Sequence, residues 1–313
     1  MPKFRTNHGR GDRRNNSFAG RMLILIIVAV ALIFFVIFML KSDPFGLLHH
    51  NTGNTGTIDW DDLTGMEYIE PKDRFYLPSS TTGQIVHHKY YSLSYNEKFE
   101  EAEWVAYLLT KYNLKIPNVH RAKRFNPDTK VKTRSAIYYD YSGSGYTRGH
   151  LVPAGDMAFS DEAMKETFLM SNITPQKKRF NAGIWLELEE NVRNWAWKNK
   201  RLYIAAGPVL TKDVKKYIGK NKVGVPRYFY KVIMDIDDPG RKAIGFIIPN
   251  EKSTIPLKNY AVTVDSVEAL TGIDFFKDLL TDKEEEKLES TFNIHDWKIS
   301  NKLYKKRLET GNK

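Results

Sequence analysis

Apolar positions are spread unevenly along the chain, and the first pattern is a solid block. Residues 22–40 read MLILIIVAVALIFFVIFML, nineteen positions without a charged or polar side chain. At about 1.5 Å per residue a helix of this length spans roughly 28 Å, close to the hydrocarbon thickness of a bilayer. A buried core helix keeps a polar stripe, and this block has none. A cleaved signal peptide carries a shorter apolar stretch of about 7–15 residues and a small-residue cleavage site. Here KSDPFGLL follows instead. The pattern therefore predicts an uncleaved transmembrane anchor. Lys3, Arg5, Arg10, Arg13, Arg14 and Arg21 precede it. They hold the N-terminus in the cytoplasm and send the body to the far side, periplasmic or extracellular.

Past the block the pattern becomes periodic. Segments 89–95 (KYYSLSY) and 103–111 (EWVAYLLTK) alternate and are rich in aromatic or β-branched residues, which predicts strands. The runs 202–210, 227–236 and 242–249 predict three more. From Ile184 to Lys198 the period lengthens: Trp185, Leu188, Val192 and Trp195 recur at helical spacing, an apolar stripe for a core. Asp265 and Glu268 have the spacing of a capping box for a short helix ending at Gly272. Strands, then helix, then strands without a βαβ rhythm indicate an α+β fold. The layout is a basic N-terminus (1–21), an anchor (22–40), a polar linker (41–60), a folded body (61–297) and a basic tail (298–313). The pair His49-His50 in the linker and KISNKLYKKR at 298–307 both read as solvated.

Composition narrows the chemistry. The chain has 313 residues, no cysteine and a net charge of +11. Thiolate metal sites, disulfides and cysteine nucleophiles are excluded. Six of the basic residues and one acid lie in the first 21 positions, so the excess over residues 22–313 falls to +6. A body of that balance tolerates a polyanionic partner without demanding one. GxxxxGK[ST], HExxH and GxSxG are all missing, which sets aside a P-loop motor, a zincin and an α/β-hydrolase.

What remains is a stretch from Tyr141 to Arg193, opening YSGSGYTRGHLVPAGDM and continuing SNITPQKKRFNAGIWLELEENVRNW. His150 lies in a turn-rich setting beside Arg148, where an imidazole could take a proton from water and a guanidinium could stabilise an anion. Asn181 precedes a helix, as an N-cap or as an oxygen ligand for a hard cation. Glu189 and Arg193, four positions apart on one helix face, have the spacing of an ordinary ion pair.

Taken together, TRGHLVPAGDM, SNITPQ and N-x-G-x-W-x-x-x-E-x-x-x-R resemble the sugar-nonspecific DNA/RNA endonucleases of the ββα-metal (His-Me finger) type, the group that includes endonuclease G. The likeness is dense over 137–197 and looser from 104 to 232, reaching toward Trp297. It implies a ββα-metal core on a central mixed or antiparallel sheet, one divalent cation and hydrolysis of phosphodiester bonds. Mg²⁺ is the expected ion, with Mn²⁺ as its alternative, and DNA and RNA are the expected substrates. By the same resemblance His150 is the general base and Asn181 the direct metal ligand. Glu189 belongs to the metal's water shell. Arg148 lies beside the scissile phosphate, Asn172 is the site asparagine, and Arg193 lies one turn beyond the glutamate. An upstream arginine is also implied, Arg121 in preference to Arg124. One position departs from the family pattern: Thr147 stands where Asp is usual, a residue that can bond to turn backbone but brings no charge. The sequon Asn172-Ile173-Thr174 would put a glycan into this site and is discounted. Two other functions compete: a retired nuclease fold that only grips an anionic polymer, and a phosphodiesterase for small or lipid substrates beside the membrane.

Overall fold

Alternate residues along one ten-residue strand face two different cores. In Glu101–Thr110, Val105, Tyr107 and Leu109 enter one apolar cluster, while Trp104 and Ala106 enter another. A strand buried on both faces sits inside a sheet, and that is the organising feature of the computed structural model, which describes residues 76–79, 83–237 and 239–310. The chain divides into Met1–Asp62 and Leu63–Lys313, and every described residue belongs to the second unit. The anchor, the linker and His49-His50 lie outside the described residues. Among the described residues no helix is long and apolar enough to cross a membrane.

The strands are β1 (Gln84–His87), β2 (Ser92–Asn96), β3 (Glu101–Thr110), β4 (Thr147–His150), β5 (Ile173–Gln176), β6 (Arg201–Pro208), β7 (Tyr217–Ile218), β8 (Val223–Gly224), β9 (Tyr228–Asp235), β10 (Lys242–Pro249) and β11 (Ala261–Val262). The helices are α1 (Lys111–Lys115), α2 (Asp161–Thr167), α3 (Leu186–Asn199), α4 (Val264–Thr271), α5 (Asp282–Glu289) and α6 (Asn301–Thr310). Seven strands form the main sheet in the order β1-β2-β3-β6-β9-β10-β11, and each neighbouring pair is antiparallel. The α+β expectation holds, and of the mixed or antiparallel alternatives the sheet is antiparallel. Two small hairpins, β4-β5 and β7-β8, stand apart from it.

Helix α3 covers one face of the sheet. Trp185, Leu188, Val192 and Trp195 are buried at 2% exposure or less, as the helical spacing predicted. Fourteen residues make a marginal helix in water, so docking and not propensity holds it. Burying a Trp removes on the order of 150–250 Å² from water, roughly 4–6 kcal/mol at about 25 cal/mol per Å², an upper bound. Trp297 lies in the same cluster, its ring 5.1 Å from that of Trp195 in an edge-on contact. The opposite face of the sheet is covered by Val264 and Val267 of α4 with Phe275 and Phe276.

Two local expectations are corrected. Helix α4 is capped by Thr263, whose side chain accepts from the Ser266 backbone N–H, and not by Asp265. Glu268 instead accepts from the Phe275 backbone N–H, while Gly272 ends the helix in the left-handed conformation as expected. The basic segment 298–313 does not behave as a solvated tail where it is described. Residues Asn301–Thr310 are helical, and Arg307 is buried against Glu187 of α3, its guanidinium also donating to the carbonyls of Ser253 and Ile255. A stripe reading missed this because the contact joins positions 120 apart.

Candidate active site

The site is assembled on the β4-β5 hairpin and the start of α3, a ββα unit. Hairpin register pairs Thr147 with Gln176, Arg148 with Pro175, Gly149 with Thr174 and His150 with Ile173. Gly149 is required by contact: a Cβ there would lie 2.1 Å from the side chain of Gln176. After β5 the chain makes a π-helical turn over Phe180–Trp185, non-helical at Gly183, before α3 begins. Such a turn rotates what precedes it relative to the helix that follows, and turns of this kind recur at functional sites. Asn181 sits in this turn and Glu189 in the helix proper.

His150 ends β4 and is 8% exposed. Its ring packs edge-on against Phe168 at 4.8 Å and tilted against Phe125 at 5.6 Å. Its Nε2 is buried without a hydrogen-bond partner. Burial first, and the charge of Arg121 second, bring its pKa down to about 3, so the imidazole is neutral at pH 7. A neutral ring with an unengaged nitrogen can accept a proton.

Two arginines flank it through the same aromatic pair. Arg148 lies over Tyr138 at 4.1 Å and over Phe125 at 5.4 Å; Arg121 lies over Phe168 at 5.0 Å. It is Arg121 whose charge reaches both His150 and Glu189, so the structure brings this arginine, of the two candidates, to the site. These rings hold the guanidinium planes without consuming their N–H donors.

Asn181 points its amide across the hairpin. Its Nδ2 donates to Thr147 Oγ1 at 2.9 Å, and Thr147 Oγ1 donates to Gln176 O at 2.9 Å. This leaves Asn181 Oδ1 with no hydrogen bond. Glu189 is half-buried, and its carboxylate likewise makes none. Burial pushes Glu189 up to about 7, with Lys231 and Arg193 restraining the rise. An uncommitted amide oxygen and an uncommitted carboxylate are oxygen donors of the kind a hard divalent cation takes, so the residues fit the metal that the family type implies.

Asn172 is not a free site amide. It is fully buried, its Oδ1 accepts from Val152 N at 2.8 Å, and its Nδ2 donates to the carbonyls of Val152 and Thr167. It fixes the chain leaving His150. No glycan could be carried there. Arg193 donates to Asp156 at 2.7 Å, and Asp156 also accepts from the hydroxyl of Tyr107 at 2.7 Å. A Cβ at Gly155 would come within 3.0 Å of the Arg193 guanidinium, so glycine makes room for that approach.

Two residues near the site were not singled out from the sequence. Asp156, in the AGDM segment, anchors Arg193. Lys231 of β9 is fully buried, with its Nζ 5.0 Å from the centroid of Trp185 and no hydrogen-bond partner, and its charge acts on Glu189 and Asp156. The available signal was a lone lysine inside an apolar strand that ends in Asp235, YFYKVIMD.

The chain has known relatives. Residues 71–282 match the family model described as DNA/RNA non-specific endonuclease. The chain belongs to that family. It is 35% identical over 228 residues to "Nuclease EXOG, mitochondrial" of Danio rerio, covering 68% of this chain and 66% of that protein. It is 35% identical over 215 residues to "Nuclease C1" of Cunninghamella echinulata var. echinulata, covering 64% and 85%. The Danio relative is thus matched over slightly less than two thirds of its length. Among solved structures, one titled "Crystal structure of the EndoG/EndoGI complex: Mechanism of EndoG inhibition" superposes with a TM-score of 0.61 at 31% identity, over 70% of this chain and 93% of the other.

Proposed function

We propose that this chain is a metal-dependent endonuclease that hydrolyses phosphodiester bonds of DNA and RNA with little sequence preference, using His150 as general base and one Mg²⁺. The observation that carries this reading is the neutral imidazole of His150, its Nε2 unengaged, packed on two rings that each carry an arginine. His150 Nε2 takes the proton of the attacking water. Arg148 and Arg121 neutralise the charge that grows on the phosphate oxygens. Asn181 Oδ1 would hold the cation directly and Glu189 through water, and Thr147 keeps the Asn181 amide turned the right way. When bound, the ion would supply Lewis acidity to the reacting phosphodiester. None of these groups is a base-edge reader, in keeping with indifference to sequence and sugar. Asn172 and Arg193 serve by position, the first holding the turn after His150 and the second pinned by Asp156.

The proposal extends to location: residues 22–40 anchor the chain in a bilayer, with the N-terminus cytoplasmic and the nuclease outside the cytoplasm. Apolar length and the basic flank support it.

The test incubates the full-length chain in detergent with supercoiled plasmid and with structured RNA, in Mg²⁺, in Mn²⁺ and in EDTA. Both substrates should be cut with metal and left intact with chelator. Asn181→Ala should need more Mg²⁺ and recover part of its rate as Mg²⁺ rises. Binding of both polymers without cleavage under any metal would overturn the reading in favour of a retired nuclease fold.

A further inference from the structure

On the face of the sheet away from α3 lies a second group of oxygen donors. Asp265 and Glu268 project from α4, and Glu289 ends α5. One carboxylate oxygen from each lies within 4.8 Å of the others. An ion with bonds of about 2.3–2.6 Å bridges such a separation. Proximity alone would be ordinary for surface acids, but Glu289 is not at the surface. It is 4% exposed, and its Oε1 is buried with no hydrogen-bond partner. A buried, unpaired carboxylate oxygen costs several kcal/mol unless something positive meets it.

Among the described residues nothing positive is paired with it. Among the described residues no Lys or Arg forms an ion pair with Asp265, Glu268 or Glu289. Lys277 is paired with Asp274 at 4.0 Å instead. Residues 264–290 hold nine acids against three lysines, in a chain whose net charge is +11. Asp274 and Glu285 add further negative charge around Glu268 and Glu289. Exposed Asp265 leaves one side of the group open to solvent, so an ion could enter and keep water on that side.

We propose that Asp265, Glu268 and Glu289 form a structural site for a hard divalent cation of calcium's size, separate from the catalytic metal. The ion would tie the end of α5 to α4 and satisfy the orphaned oxygen of Glu289. Glu268 already uses one oxygen on the Phe275 backbone N–H at 2.8 Å, which fixes its direction. The competing occupant is a proton held on Glu289, which burial and its acidic neighbours push up to about 9.

Thermal unfolding of the full-length chain in detergent, with CaCl₂ as the probe, separates the two. At a Ca²⁺ concentration about 100-fold above its Kd, Tm should rise by about 5 °C. Asn181→Ala should keep that rise, because the catalytic ligand is not involved. Asp265→Ala and Glu289→Gln should each abolish it. Asp265 is exposed, so its variant keeps the test meaningful even if Glu289→Gln misfolds. Calorimetric titration of Asn181→Ala with Ca²⁺ should show a site that Asp265→Ala/Asn181→Ala lacks. A calcium response that disappears in Asn181→Ala, or one that survives Asp265→Ala, would overturn the proposal. So would a Glu289→Gln chain that gains Tm without calcium while the parent is calcium-blind, since a proton would then be the occupant.

Discussion

The hydroxyl of Thr147 connects the amide of Asn181 to the carbonyl of Gln176, with both contacts at 2.9 Å. The residue that departs from the family pattern thus fixes the Asn181 amide by hydrogen bonding alone and brings no charge to it. Thr147→Val keeps the shape and removes both bonds. Loss of such a supporting partner typically weakens metal use by about 10- to 100-fold. Plasmid nicking titrated with Mg²⁺ should show the half-saturating concentration rising within that range, and Thr147→Asp should return it to or below the parent value. An unchanged Mg²⁺ curve in Thr147→Val would show that the Asn181 amide is held by something else.

His150→Ala should lower kcat by roughly 10²- to 10⁴-fold with little change in KM, because the arginines and metal attract the phosphates. Added imidazole should restore part of the rate. Only the neutral ring accepts a proton, so the acid limb due to this group should fall well below the usual histidine value of 6.5.

The same group leaves a mark on stability. Its folded pKa is depressed, so between about 6.5 and about 3 the unfolded chain binds a proton that the folded chain refuses. The contribution of this group to stability falls as pH drops through that window. Urea unfolding at pH 7 and pH 5 should show a smaller loss in His150→Ala than in the parent. Equal losses would mean that the ring is solvated.

Lys231→Met replaces a buried, unpaired ammonium with an apolar side chain of similar length. Folding stability should hold or rise, because no hydrogen bond is lost. Glu189 loses the cation that restrains it, so its pKa should move above about 7 and the charged form should appear only at higher pH. The rate at pH 7 should drop and recover toward pH 9. A pH–rate profile that is simply scaled down would disprove the electrostatic role.

Helix α6 is docked on α3 through Arg307. Arg307→Met leaves Glu187 uncompensated inside the protein, and breaking a buried pair this way costs about 3–5 kcal/mol. Chemical denaturation should register that loss. A change below about 1 kcal/mol would show that α6 is dispensable.

The parts of this protein that obey a simple period were legible in advance. β10 spans Lys242–Pro249, the same residues as its apolar run, and the four stripe residues are buried, three of them in α3 and Trp185 in the turn before it. The β4-β5 hairpin of the candidate site was not readable that way. TRGH and ITPQ are four-residue strands in which Ile173 is the one aliphatic side chain, so there is no alternation to detect. The π-helical turn leaves no periodic mark either, because one irregular turn is too short to shift a pattern. Those residues were found only as motifs, and motifs carry identity without direction. It took coordinates to show that Asn172 spends its amide on backbone while Asn181 keeps an oxygen free.

The antiparallel sheet also sorts charge. Residues 120–150, leading into the catalytic hairpin, hold seven Lys and Arg against two acids, while α4 and α5 on the far face belong to the acidic stretch 264–290. Opposite charges on opposite faces give the domain an electric dipole. A polyanion at a distance exerts a torque on it, turning the arginine-bearing side inward before any contact forms. Encounters at low ionic strength then begin already oriented. Above about 0.15 M salt, where screening sets in within about 8 Å, the domain must instead find its orientation by collision.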